Sequence, residues 1–378
     1  MSECKRSECV DTMRLLANWL VIIIHSWGFS AYIPDWRITT DGSFVAWSVD
    51  AARIAMPTLF CLSGYLLFNG YSMSRFSGKL KSRVFRLVIP YMLWNLVYLG
   101  LFFVLWKLRE VENDHIALKG LFPWCVENLF SLTSDPACPP MWYVRAIFVY
   151  ILLSPLLFSI TKLRYGWFLA LSLLLLWGYY TMWSGLDSCS WTTYPYYSIL
   201  SFCLGAFIAD SRNKLSIEMI SRRLWNVPVL LLLGAVGVVG CKMLVGRNGG
   251  TVNPSGIMGF YVSILRVLQI GLICGVSIII AKLESWRKFA RVFYKSAFFL
   301  YALHYGLLTI LEPCIGRVLQ KTSSSFIIHC GLSVAVIIGF CCCVGISHFC
   351  WLFINRICPR FGAMLDGRSQ TFVKYHKG

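Results

Sequence analysis

Runs of apolar residues, each about 17 to 25 long and separated by short polar stretches, recur along the whole chain. They fall near residues 14–31, 47–69, 87–106, 141–161, 165–184, 194–210, 226–245, 257–281, 293–311 and 326–352. As a helix, each is long enough to cross a hydrocarbon core of about 30 Å. The pattern predicts an all-α, polytopic membrane protein with about ten transmembrane helices. The runs near 47–69 and 293–311 also contain charged residues, which is unusual for a span. Composition agrees: 57% of residues are hydrophobic and 14% charged, with a mean hydropathy of +0.65. A soluble domain averages about 25% charged.

Basic residues are retained on the cytoplasmic side of a membrane. With the N-terminus placed inside, most of the 35 Lys and Arg fall on that side, so both termini are expected to be cytoplasmic. The formal charge of +18 is then mostly membrane-surface charge, and no nucleic acid is needed to explain it. The first helix follows an N-terminus with acids and no small-residue cleavage site, and reads as a retained signal anchor. Residues 1–356 are expected to form one transmembrane domain and 357–378 a basic cytoplasmic tail, with no soluble enzymatic domain appended. Most of the 16 cysteines lie inside spans, Cys341, Cys342 and Cys343 among them, where a thiol acts as a small apolar side chain. No metal-ligand spacing stands out, and no permanently bound cofactor is expected. Cys125 and Cys138, in the long outward loop before the fourth span, are a candidate disulfide pair in an oxidising compartment.

Polar residues inside the spans carry the chemistry. Arg14 and His25 lie eleven residues apart on the first span, about three turns, so they share one face with the imidazole about 16 Å deeper. Asn18 sits between them on that face, and Asp11 precedes Arg14 by one turn. An ionisable side chain held near mid-bilayer costs a few kcal/mol, which favours a functional reading of His25 over a structural interhelical hydrogen bond. The second span reads Arg53-IA-Met56-Pro57-TLFCL-Ser63-Gly64-Tyr65, with a proline that invites a kink and a Ser-Gly step that admits a close neighbour. Lys79, Lys81, Arg83 and Arg86 lead to Pro90 at the start of the third span. Two readings of that run are open, topogenic charge alone or a dedicated anion site. The fourth span opens with Pro139-Pro140-Met141-Trp142-Tyr143-Val144-Arg145, where an interfacial aromatic anchor competes with a ligand-stacking role. His304 on the ninth span stands nine residues, about 13.5 Å, beyond Lys295, nearly the depth of His25.

In this order the residues resemble the acyltransferase-3 family of integral membrane acyltransferases, in a stand-alone branch similar to surface-polysaccharide O-acetyltransferases. The resemblance is carried by Asp11-TM-Arg14 with the gap to His25, the Pro57-to-Gly64 run, the basic run ending in Pro90, Trp142-Tyr143, Ser201-FCLGAF and Phe299-LYAL-His304. Thr58, Leu59 and Cys61 depart from the aromatic-rich wording of the second motif. The resemblance implies acyl transfer in a cell membrane, the bacterial inner membrane. The donor would be cytoplasmic acyl-coenzyme A, commonly acetyl, and the acceptor a hydroxyl of a surface glycan or a lipid-linked oligosaccharide.

Arg14, His25 and His304 are then the catalytic candidates. Histidine can serve as base or as acyl carrier, and both routes are open for His25. Arg14, Arg83 and Arg86 would hold the phosphates of coenzyme A, since guanidinium binds phosphate through paired hydrogen bonds. Trp142, Tyr143, Arg53, Arg145 and Arg266 are acceptor-binding candidates. Counted from Lys162, Lys282 and Asn69, the three arginines all fall about 24 to 26 Å above the cytoplasmic border. They read either as a ring for an anionic acceptor or as separate side chains reaching the outer headgroups. The rival functions are a secondary transporter or glycan exporter, for which no internal symmetry is found, and a non-catalytic sensor or scaffold.

Overall fold

The computed structural model describes residues 8–26, 29, 48–49, 51–109, 121–130, 136–183, 196–210, 217–223, 226–247, 256–319, 321 and 325–367. Among them every regular element is a helix. The first is α1 (Glu8–His25), followed by α2 (Ala55–Phe68). Next come α3 (Phe76–Arg83), a π-helical turn (Val84–Val88) and α4 (Ile89–Arg109), which run on as one rod. After α5 (Leu121–Phe130), a short turn (Pro139–Met141) leads into α6 (Trp142–Thr161). Then follow α7 (Gly166–Trp183), α8 (Tyr196–Ala209), α9 (Ile217–Arg222) and α10 (Asn226–Arg247). The chain continues through α11 (Gly256–Leu268), α12 (Ile270–Ile280) and α13 (Glu284–Tyr294). It closes with α14 (Ala297–Leu319), α15 (Ser325–Ile357) and α16 (Pro359–Leu365).

Among the described residues, six helical stretches are long and apolar enough to cross a membrane: Phe76–Val104, Pro139–Thr161, Asn226–Leu244, Ile257–Ile280, Ala297–Leu319 and Cys330–Ile357. The protein is therefore a multi-pass membrane protein. The other expected runs correspond to helices that are shorter or more charged. Ala55–Phe68, Gly166–Tyr180 and Tyr196–Ala209 are apolar but short, and α1 carries Glu8, Asp11 and Arg14. That helix begins two turns before the apolar run expected over 14–31, because Glu8 and Asp11 in its first turn suit the positive end of the helix dipole. It ends at His25.

Two expected spans are interrupted, and the cause is local in each. In the second, Pro57 lacks the N–H that would bond the Arg53 carbonyl, and the chain turns at Arg53–Ile54 before α2 begins. In the eighth, α11 stops at Leu268 and α12 restarts at Ile270; the Gln269 side chain between them donates to the Gly237 carbonyl of α10 at 3.3 Å. Pro90 acts on the third rod in the same manner. It leaves the Arg86 carbonyl without an α-helical partner, and the backbone widens into the π-helical turn around Arg86.

The helices are locked by glycine contacts. Where α2 crosses α8, a Cβ on Gly64 would stand 2.0 Å from the Phe202 carbonyl oxygen, and one on Gly205 would stand 1.8 Å from that of Cys61. The Ser-Gly step and the Ser201-FCLGAF run are thus two halves of one crossing. A second crossing, of α10 on α12, places Gly234 against Leu272 and Gly271 against the Leu230 carbonyl. Amphipathic α13 closes one end of the bundle over α1. Its Arg287 and Arg291 pair with Glu8 at 3.5 and 3.9 Å, its Trp286 donates to Thr12 at 3.2 Å, and Trp286, Phe289 and Phe293 stand edge-on or tilted around Trp19.

Gly64→Ala and Gly205→Ala are each expected to force α2 and α8 apart and destabilise the protein by about 1–3 kcal/mol. Gly100→Ala, with nothing within 4 Å of its Cβ position, is the control. Thermal unfolding in detergent decides the matter; equal melting temperatures for Gly64→Ala and Gly100→Ala would refute the crossing as a source of stability.

Candidate active site

The last residue of α1 and the middle of α14 bring two imidazoles together. The His25 and His304 ring centroids are 5.2 Å apart with their planes tilted by 45°, and the Tyr305 ring meets His25 edge-on at 5.3 Å. His304 is fully buried. Its Nδ1 lies 3.3 Å from the Leu300 carbonyl, which can only accept, so Nδ1 carries the hydrogen and Nε2 keeps its lone pair. No protein group bonds that Nε2 among the described residues, which leaves a base beside His25.

The α14 position is over-determined. Asn18, midway between Arg14 and His25, donates to the Ala297 carbonyl at 3.2 Å and so joins α1 to the start of α14. Tyr301 donates to the Pro140 carbonyl, and Cys138 Sγ lies 3.7 Å from the Ala302 carbonyl, which seats the 136–141 segment against the histidine-bearing helix. Asn95 accepts the Cys138 N–H at 2.8 Å from the other side. Cys125 and Cys138 are both free thiols, so the candidate disulfide is not made; Cys138 is fully buried by its contacts with α4 and α14.

A second group gathers at the Arg14 end of α1. Arg83 lies within electrostatic range of both Arg14 and Arg86, and Tyr143 within range of Arg14 and Arg83. Among the described residues no carboxylate forms an ion pair with any of the three arginines. Like charges gathered without a carboxylate partner among the described residues favour an anion beside them. Tyr143 donates to the Leu59 carbonyl at 3.0 Å and takes a 2.6 Å bond from Ser63, so Ser63 of α2 braces the tyrosine of α6. Sequence spacing put Tyr143 with the outer residues; the structure brings it to the arginines. Trp142 packs on Phe60, ring centroids 5.8 Å apart.

A third group involves the outer arginines. Arg266, only 8% exposed, lies over the Tyr197 ring at 5.0 Å and bonds its hydroxyl. Arg53 acts on the same tyrosine and also on His25. Both arginines stand beside a helix interruption, which frees the local backbone to turn the side chain inward. Tyr197 was not anticipated, since it lies in a tyrosine-rich run with no periodicity to single it out. Arg145 lies in the first turn of α6, and further along that helix Ser154 meets Tyr71, just past the end of α2, at 3.3 Å.

The C-terminal helix reaches the arginine group. Trp94 donates to the Leu365 carbonyl at 3.1 Å, Trp351 donates to Asp366 at 2.5 Å, and Gly367, at φ +64°, lies where a Cβ would be 2.2 Å from the Arg86 carbonyl. Only glycine fits that conformation and that approach without strain.

Fold and site together define a multi-pass membrane protein with an imidazole pair and arginine clusters in an otherwise apolar interior, equipped for proton or group transfer. The chain belongs to the acyltransferase-3 family: the family profile, described as an acyltransferase domain, matches residues 7–348. It is a membrane acyltransferase, which sets the transporter and scaffold readings aside. Comparison with curated proteins and with solved structures gave no match.

Gly367→Val is expected to release α16 from the π-helical turn. Limited proteolysis in detergent should then cleave between residues 358 and 367, where the parent protein resists; unchanged protection would contradict the docking.

Proposed function

We propose that the protein moves an acyl group, acetyl in the first instance, from cytoplasmic acyl-coenzyme A to a hydroxyl of a surface glycan or lipid-linked oligosaccharide. Both termini face the cytoplasm in this reading, and the membrane is the bacterial inner membrane. The observation that carries it is the joining of two groups by one helix. Arg14, Arg83 and Arg86, without a carboxylate partner among the described residues, form an anion site at one end, and His25 with His304 lies about 16 Å along α1. That arrangement suits a donor whose phosphates are gripped at the cytoplasmic end while its long pantetheine arm carries the thioester inward.

The transfer balances without a cofactor of the protein's own. The His304–His25 pair takes the proton of the acceptor hydroxyl, the oxygen attacks the thioester carbonyl, the C–S bond breaks, and the proton goes to the departing thiolate to give free coenzyme A. The carrier route differs in one respect: His25 nitrogen attacks first and the acceptor oxygen displaces it. Arg53 and Arg266, converging on Tyr197 within charge range of His25, suit an acceptor with a phosphate or carboxylate near the reacting hydroxyl. Tyr143 belongs to the donor side in this scheme, and Trp142 and Arg145 line the approach between the two.

Purified protein given acetyl-coenzyme A and a glycan acceptor is expected to release free thiol, with activity lost in His25→Ala. Arg83→Ala and Arg86→Ala should raise the KM for the acyl-coenzyme A about tenfold or more, as loss of a charge-assisted phosphate contact of about 1.5–3 kcal/mol requires. A wild-type protein that neither binds nor consumes any acyl-coenzyme A would defeat the donor assignment. Arg53→Gln and Arg266→Gln should raise the acceptor KM and leave that for acyl-coenzyme A unmoved; unchanged acceptor kinetics in both would remove the outer arginines from the site. Mass analysis of surface glycan from cells with and without the protein identifies the acyl group and the acceptor together.

A further inference from the structure

The turn of α14 that carries His304 is bridged by a side chain from α4. In an α-helix the Gly306 N–H and the Ala302 carbonyl are hydrogen-bonding partners. The Tyr98 hydroxyl engages both: it donates to the Ala302 carbonyl at 2.9 Å and accepts the Gly306 N–H at 2.7 Å. The bridge brackets His304, two residues away on either side. Tyr98 is buried, 1% exposed.

The bridge is built from both sides. Gly306 has no side chain to obstruct it, and a Cβ there would lie 3.1 Å from the Tyr98 hydroxyl. The Tyr98 ring packs on Tyr305 at 6.4 Å, and Tyr305 in turn meets His25 edge-on. An α-helix can satisfy the Ala302 and Gly306 groups without help, so the hydroxyl yields little net hydrogen bonding. What it fixes is position: a hydroxyl carried by α4 and held on both groups ties the backbone of the turn whose His304 Nε2 has no protein partner among the described residues.

We infer that Tyr98 is a positioning residue for the transfer step, setting the aim of His304 toward His25 by fixing the α14 turn from α4. The inference rests on His304 serving as the base in the proposed function. Tyr98→Phe removes the bridging oxygen and keeps the ring, which frees the turn from α4. The full-length variant in detergent should keep its melting temperature within a few degrees and its KM for acetyl-coenzyme A. Its kcat should fall at least tenfold, and the 15N resonances of the His304 ring should move. His304→Gln, measured alongside, separates the two levels. If His304→Gln keeps full kcat, the base assignment fails and the role of Tyr98 falls with it. If His304→Gln is impaired while Tyr98→Phe keeps full kcat and unshifted His304 resonances, the positioning role alone is overturned. Should Tyr98→Phe not fold, Gly306→Ala decides, because its methyl presses the hydroxyl away from the turn. A loss of kcat at unchanged KM supports the inference, and an unaltered kcat ends it.

Discussion

Two imidazole rings 5.2 Å apart inside an apolar bundle are the contact that the rest of this structure serves. An ionisable side chain at that depth costs a few kcal/mol, and the contact exists only if two helices hold their register to a fraction of a turn. The surrounding polar bonds do that. Asn18 fixes α1 against the start of α14, Tyr98 and Tyr301 fix the middle of α14, and Cys138 with Asn95 seats the 136–141 segment beside it. Each engages a backbone group, so what is specified is the position of the main chain under the histidines. The aromatic packing of α13 around Trp19 and, in the first turn of α1, the pairing of Glu8 with Arg287 keep the helix from sliding along its axis.

A bundle of straight helices presents its side chains at regular angles, which suits packing and suits a polar site badly. Here irregular backbone occurs next to the arginines. Pro57 sets the turn at Arg53, Gln269 separates α11 from α12 three residues after Arg266, and Pro90 widens the rod around Arg86. Within a hydrocarbon environment an interruption is tolerable only where neighbouring groups satisfy the freed backbone or a polar interior replaces it. At Gln269 the backbone N–H bonds the Leu265 carbonyl at 3.3 Å and the carbonyl takes the Leu272 N–H at 3.0 Å, while Gly367 packs tightly against the Arg86 carbonyl. The interruptions and the charges are thus parts of one solution, in which backbone freedom is used where a guanidinium must point inward.

Much of this was legible in the chain because it is written at short range. The Arg14-to-His25 spacing, the near-equal depth of His304, the Ser63-Gly64 step and the break at Pro57 follow from helical rise and residue type alone, whereas Pro90 reads as a helix start and lies inside a longer rod. Relations between helices were harder. Tyr143 was read as an interfacial aromatic beside Trp142, and nothing in its spacing tells that Ser63 and the Leu59 carbonyl of α2 hold it within charge range of Arg14 and Arg83. Tyr197 and Tyr98 left no local signal, because what matters in each is a partner on another helix, Arg266 in one case and the α14 ladder in the other. Six of the expected spans stand out by length and apolarity, and the site draws on them and on the shorter or more charged helices alike: His304 is on α14 and Arg266 on α11, but His25 is on charged α1 and Ser63 on short α2. Average hydropathy is weakest where function has replaced apolar residues.

The separation of the two groups along α1 constrains how the reaction is organised. In the proposed function the arginines that grip the donor's phosphates do not also touch the thioester, since α1 sets Arg14 about 16 Å from His25. Binding energy from a remote part of the donor is then available to place its reactive end, which raises the rate only if the placement is rigid. The arginine site sits between α1, the π-helical turn and α6, and α1 carries the imidazole at its other end, so one helix transmits the fit of the phosphates to the position of His25. An anion bound among three like charges relieves repulsion there as it arrives. In the proposed function, that relief stabilises the grouping of Arg14, Arg83 and Arg86 around the donor's phosphates, so that a donor lacking them would lose the contact that places its thioester at the imidazole pair.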